Sequence, residues 1–443
     1  MQQRALLLLP FALVPAFAAP VTFSEHVAPI IYNRCGGCHR PGEQGPFSLT
    51  NYQEVSKRGK LIASVTATRY MPPWHAQPAA APYRDERRLT DSEIALLQEW
   101  VKQGTPEGDP KKAPKFPTYP DGWQLGTPDL VVKMPRAFRV PAEGPDIYRN
   151  FVIPVGLAED KWIRAIEVRP SAPKVVHHML YYGDPTSSAR QFEKAEKQPG
   201  FGGQPNPRGT YSLGSWAGGT QPHFLPEGLA RRFPKGTDFI LQEHFHPTGK
   251  EEVEQTVIGL YFASAPPARQ MMAIQLPIDF GLFAGVSIPA GQKNYTVRDS
   301  FTLPVDVDAF EVSAHAHYIG KSMKVTATLP DGESKVLLWI KDWDFGWQDD
   351  YFFRDFVALP KGTRIDGEVS WDNSAENPRN PSKPPIQVNW GEGSFEEMGS
   401  VTLRVSPRSA ADASALSQAF VEKNRRDIQQ PTKRTPIFGS GLP

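Results

Sequence analysis

Phe239-Ile240-Leu241-Gln242-Glu243-His244-Phe245-His246 is a short apolar and aromatic run that carries two histidines. It reads as a β-strand, because β-branched and aromatic residues suit a pleated, half-buried surface. Segments of the same kind recur from Asp129 to about Val405, at 162–168, 257–262, 310–314 and 324–329, separated by Pro, Gly and Asp turns. Long helical periodicity is absent. The stretch is all-β, too long for one typical sandwich and about right for two.

The histidines sharpen this reading. Of ten, six fall into three tight groups in the β region: His177-His178, His244-x-His246 and His315-x-His317. In a strand, residues i and i+2 share a face and neighbours oppose. His315 and His317 can therefore hold one ion from a regular strand. His177 and His178 can do so only where the alternation breaks. A lone histidine in a β-core is usually structural, and three groups together point to metal. His223 and His26 have no such partners and read as structural and surface residues. The run Trp339, Trp343, Phe345, Trp347, Tyr351, Phe352, Phe353 reads as core packing, with the lining of a substrate cleft as the alternative.

The N-terminal part is different. Cys35-Gly36-Gly37-Cys38-His39 contains both cysteines of the chain and reads as a c-type haem attachment site, with His39 as the iron ligand. A thioredoxin-type pair would need a βαβ unit and a zinc site a second ligand pair, and neither is visible. The second axial ligand is expected in Tyr70-Met71-Pro72-Pro73-Trp74-His75. Met71 is preferred, because a thioether raises the reduction potential, and His75 is the alternative. A helix is expected over 23–33, and Thr90-Asp91-Ser92-Glu93 is a capping box that opens another. Residues 20–108 thus resemble a class I cytochrome c domain.

Residues 1–18 read as a signal peptide, with Arg4, a short apolar core and Ala16-Phe17-Ala18 as a cleavage site. A retained anchor is the alternative. No later segment is apolar enough to span a bilayer. Export and covalent haem together point to a bacterial periplasm or secretion. A net charge of +1 from 49 basic and 48 acidic residues gives no sign of a nucleic-acid partner. Prolines from 106 to 128 mark a linker over 109–128, and 408–443 reads as a helix followed by a tail.

Four segments then occur in order: Val175-Val176-His177-His178-Met179-Leu180, Phe239 to His246, His315-Ala316-His317-Tyr318-Ile319-Gly320-Lys321, and Phe395-Glu396-Glu397-Met398. Together they resemble the copper motifs of the ascorbate-dependent type II copper monooxygenases. That family includes peptidylglycine α-hydroxylating monooxygenase and dopamine β-monooxygenase. The resemblance implies two jelly-roll-like sandwich domains, 129–266 and 267–407, each with one copper, facing each other across a solvent-filled cleft. By position His177, His178 and His244 would hold the electron-transfer copper, with His246 as a supporting neighbour. His315, His317 and Met398 would hold the catalytic copper. The copper region has no cysteine, and Gly399 stands where the family has one.

The expected fold class is a small all-α cytochrome c domain followed by two all-β jelly-roll-like sandwich domains. The expected function is hydroxylation of an aliphatic C–H bond in a small organic or peptide-like substrate with O2. Electrons would come through the haem, from a redox partner protein or from ascorbate or another small reductant. The alternative is a non-enzymatic redox protein that carries electrons or handles copper.

Overall fold

Strands dominate because apolar residues recur at the period of two that a sheet with one buried face requires. Tyr295–Thr302 shows this pattern, with Val297, Asp299 and Phe301 inward and Arg298 and Thr302 exposed. The computed structural model describes residues 20–43, 45–120, 122–203 and 209–429. The expected signal peptide and the tail from 430 onward lie outside the described residues. Contacts divide the chain into two compact units: 1–72 with 89–117, and 73–88 with 118–443.

The second unit holds two sandwiches. In the first, one sheet has the strand order Ile147–Pro154, Asp238–Phe245, Val176–Asp184, Tyr211–Ala217. It faces a sheet of Leu130–Lys133, Val257–Phe262, Lys161–Arg169 and Arg231–Phe233. Phe151, Phe239, Leu241, Phe245, Ile258 and Leu260 fill the space between. Asp238–Phe245 is buried on both faces, because Ile240 and Val152 are covered by Ala189 and Phe201.

The second sandwich pairs Met272–Leu276, Gly399–Pro407, Val307–Ala316 and Asp350–Leu359 against Tyr295–Thr302, Arg364–Trp371, Gly320–Thr328 and Ser334–Ile340. Segment 73–88 is built into this sandwich. Trp74, Ala76 and Tyr83 join its core, Ala76 and Tyr83 bridge to Ile340 and Phe353, and the Tyr83 hydroxyl donates to the Leu337 carbonyl at 2.6 Å. A C-terminal helix, Ala410–Gln429, packs Leu416 and Phe420 on the same core.

The first unit corrects the expected fold class. It is not an all-α cytochrome c domain. One helix, Asp91–Lys102, reaches 12 residues, with the expected Thr90–Glu93 capping box. The other helical segments, Phe23–Val27, Ala28–Arg34, Tyr52–Ser56 and Gly59–Ala67, have five to nine residues each. Glycine- and proline-rich stretches around them form turns and extended chain, and 73–88 departs to the other unit. The unit closes on a small core of Phe23, Ile31, Leu97 and Trp100. The chain as a whole is a β-sandwich protein. No helix among the described residues is long and apolar enough to cross a membrane.

Within the second unit Lys423 is 6% exposed and is paired with buried Asp299 and with Asp427. Removing one member of such a pair strands a buried charge. Lys423→Ala should therefore lower unfolding stability by about 3 kcal/mol or more. Lys423→Met combined with Asp299→Leu should recover most of the loss in a chemical-denaturation midpoint.

Candidate metal centres

The first histidine group depends on a fault in a strand. Val176 pairs with Phe245 and His178 with His244, so His177 is one residue extra in its strand. Such a bulge re-aims a side chain. Consecutive histidines then turn toward the same point as His244, and one nitrogen of each lies within 4.8 Å of the others. The Nδ1 atoms of His177 and His178 are 3.1 Å apart, and those of His178 and His244 are 3.3 Å apart. His244 Nε2 lies 2.8 Å from Asp146 Oδ2, so its N–H donates to the carboxylate and Nδ1 is left bare toward the cluster. The other Asp146 oxygen takes His246 Nδ1 at 2.7 Å. Burial works against the Asp146 charge, but the hydrogen bonds from His244 and His246 hold its carboxyl at about 2. Burial and then the neighbouring His244 push His177 down to about 4, and the same causes push His178 well below the usual range. Neutral imidazoles converging on one point are a metal-ligand arrangement.

The second group sits where Val307–Ala316 meets the start of Gly399–Pro407. His315 pairs with Ser400 and Ala316 with Gly399, the last pair of this ladder, and buried Met398 immediately precedes Gly399 in the chain. The His315 and His317 rings are 5.2 Å apart. His315 Nδ1 donates to Gln348 Oε1 at 2.7 Å, and His317 Nδ1 donates to the Glu396 carbonyl at 3.0 Å. His315 thus keeps Nε2 as its bare nitrogen, while His317 has a further backbone partner in Gly393. Burial, then His315, lowers His317 to about 3. Buried Glu397 accepts from the backbone N–H groups of His317 at 2.9 Å and Ile319 at 2.8 Å and from Trp371 Nε1 at 2.9 Å. Gly399 is required by the same packing, since a Cβ there would lie 2.5 Å from the Trp371 ring.

The space between the two groups holds an aromatic ring. Phe345 is 3% exposed, with its centroid 5.0 Å from His177, 5.4 Å from His317 and 5.0 Å from Tyr318. The Tyr148 ring stacks on His244 at 4.1 Å, and its hydroxyl reaches Ser394 Oγ at 2.8 Å. The first sandwich is thereby tied to the loop that precedes Met398. At this point a buried ring stands where the resemblance implies solvent.

In the first unit Cys35, Cys38 and His39 lie on one turn, with the His39 N–H donating to the Cys35 carbonyl at 2.9 Å. The three residues follow directly on the helix Ala28–Arg34, within the turn that ends it. His39 Nδ1 donates to the Phe47 carbonyl at 3.0 Å, which leaves Nε2 free as a ligand atom. Burial, then Cys38, pushes the Cys35 thiol up to about 12. Met71 belongs to this unit, whereas His75 belongs to the β unit, where it is half-buried and its buried Nε2 has no hydrogen-bond partner among the described residues.

The structure therefore gathers His177, His178 and His244 in one set and His315 and His317 in another, and it places Met398 next to Gly399, the strand partner of Ala316. Asp146, Tyr148 and Gln348 were not found from the sequence, because nothing in their spacing ties them to the histidines. Glu397 stood inside a quoted motif without a role, and Phe345 stood in the aromatic run.

No protein-family model matches the chain, and no curated protein matches it. Among solved structures, the infectious bursal disease virus VP2 subviral particle is similar over 65% of this chain and 73% of that one, at 10% identity and TM-score 0.21. Recombinant peptide:N-glycanase F is similar over 63% and 96%, at 10% identity and TM-score 0.29. The major capsid protein P2 of bacteriophage PM2 is similar over 60% and 99%, at 8% identity and TM-score 0.23. Likenesses at these scores transfer nothing to this chain.

Asp146 fixes the tautomer of His244 and contacts no other ring of the set. Asp146→Asn should weaken metal binding at this candidate site by about 10–100-fold in a competition titration. His246→Ala should leave the affinity nearly unchanged, since that ring is 60% exposed and on the far side of the carboxylate.

Proposed function

We propose that this protein is an exported, haem- and copper-containing monooxygenase that hydroxylates an aliphatic C–H bond with O2. The observation that carries the reading is the pair of histidine sets, one with converging nitrogens and an outer hydrogen bond from His244 to Asp146, the other with rings 5.2 Å apart held by Gln348 and the Glu396 carbonyl. The proposed donor sets suit copper: three imidazoles in one, and two imidazoles with the Met398 thioether, a soft donor that favours Cu(I), in the other. The order of the four motifs, similar to that of the type II copper monooxygenases, supports the same reading. The Cys35–His39 turn fits a covalent c-type haem, with two thiols and a His39 whose Nδ1 is engaged by the Phe47 carbonyl within one turn. When bound, the coppers would supply one-electron chemistry toward O2, and the haem an entry for electrons from a partner protein or a small reductant. The net change is RH + O2 + two electrons + two protons to ROH + water.

The chain's own residues prepare this chemistry. Asp146, Gln348 and the Glu396 carbonyl orient three of the ligand rings. Glu397 holds His317 and Met398 in register. Phe345 keeps bulk water from the space between the sets. Around the second set, Phe280 approaches His315 at 5.3 Å and Phe395 approaches Tyr318 at 5.8 Å. Both side chains are exposed, and they suit the apolar part of a small organic or peptide-like substrate.

Met398 decides between an enzyme and a carrier of electrons or copper. Protein matured in a periplasm with haem and copper should hold two coppers and a haem that acidified organic solvent does not extract. Met398→Ala should keep most of its copper and lose substrate-dependent O2 consumption by at least ~10-fold, with an unchanged haem spectrum. Equal, slow O2 consumption by wild type and variant, with no hydroxylated product, would establish the carrier reading.

A further inference from the structure

A cavity of about 510 Å³ lies between the two sandwiches, away from the histidines. Arg231, Arg232 and Tyr211 line it from the first sandwich, and Met271, Met272 and Arg404 from the second. Its volume falls within the ~300–1,000 Å³ usual for small-molecule sites. Its lining combines apolar surface with three guanidinium groups, and these are not equivalent. Arg232 is paired with Asp160 at 2.7 Å, and Arg404 is paired with buried Glu311. Arg231 makes no hydrogen bond or ion pair through its side chain among the described residues.

The anions within electrostatic reach of Arg231 are Glu311 and Asp350. Glu311 is taken by Arg404. Asp350 lies beyond ion-pair distance of Arg231 and accepts from Ser215 Oγ at 3.3 Å. Burial, then the neighbouring charge of Arg404, disfavours the Arg231 cation. A guanidinium stays charged in a protein, and the half-buried Arg231 lines the cavity with no side-chain partner, so its N–H groups are available to an anion that enters. Its fork of N–H donors matches a carboxylate or phosphate in two parallel hydrogen bonds. The methionines adapt to an apolar body of variable shape.

We infer that this cavity binds a small organic anion, whose carboxylate or phosphate head meets Arg231 while its apolar body lies along Met271, Met272 and Tyr211. The inference does not rest on the metal sites. Because both sandwiches line the cavity, the bound anion bridges them and stabilises the second unit as a whole.

The test uses the full chain, with octanoate, benzoate and octyl phosphate as probes and octanol and octylamine as controls. Thermal unfolding and calorimetric titration read binding. At least one anionic probe should bind saturably and raise the unfolding temperature, and neither control should match it. Arg231→Gln should weaken that binding by about tenfold or more, as expected for loss of a charged hydrogen-bond partner, while Arg232→Gln should have a smaller effect. Ala273→Phe places bulk in the cavity from an exposed strand position and leaves every charge in place, so it reads the site even if Arg231→Gln folds poorly. It should abolish binding. The inference is overturned if no anionic probe binds, if octanol binds as well as octanoate, or if Ala273→Phe or a folded Arg231→Gln binds undiminished.

Discussion

The carboxylate of Glu397 is the point on which the second histidine set depends. It is buried beneath the end of Val307–Ala316 and accepts three N–H groups, two from the backbone around His317 and one from Trp371. Burial pushes its carboxyl up to about 8 against those donors, which favour the ionised form. The strand ends here, and the chain must leave the ladder with polar groups still to satisfy. One side chain satisfies them from the neighbouring strand. The residue that follows it is Met398, so the hydrogen bonds that close the strand end also fix the backbone on which the thioether is carried, next to the Ala316–Gly399 pair.

The first set solves the matching problem by different means. There the ligands come from two paired strands, and a one-residue bulge brings adjacent histidines onto a common point. Both sets are finished by hydrogen bonds made on the far side of the rings. These leave Nδ1 as the atom facing the cluster at His244 and engage Nδ1 at His315 and His317. A rotation of any ring would break its outer bond and withdraw the ligand atom. The orientation is therefore built into the apoprotein.

Segment 73–88 shows how the chain spends its proline-rich stretches. It leaves the helical unit after Met71 and Pro72, adds Trp74 and Tyr83 to the second sandwich, and returns at Leu89. Tyr83 stacks on Phe353 at 5.6 Å and Trp74 meets Tyr351 at 5.1 Å, edge to face. Much of the aromatic run in that region is thus core. Phe345 departs from the pattern and lies between the histidine sets.

By itself, the sequence determined the predominance of strands, the long β region of two sandwiches, the capping box at Thr90, and the grouping of the histidines. Each is a local property, carried by period, propensity or spacing within a few residues. It misjudged the N-terminal unit, because a capping box and one amphipathic stretch predict a helix and not how much of the surrounding chain is helical. Tertiary structure alone decided that His177 and His178 face one way, that Asp146 and Gln348 select the ligand nitrogens, and that His75 sits in the β unit. It alone left Arg231 in a cavity without a partner. Those features join residues tens to hundreds of positions apart, such as His244 to Asp146 and His315 to Gln348. A hydrogen bond of this kind depends on strand register and packing, and register is a property of the paired strands rather than of either segment.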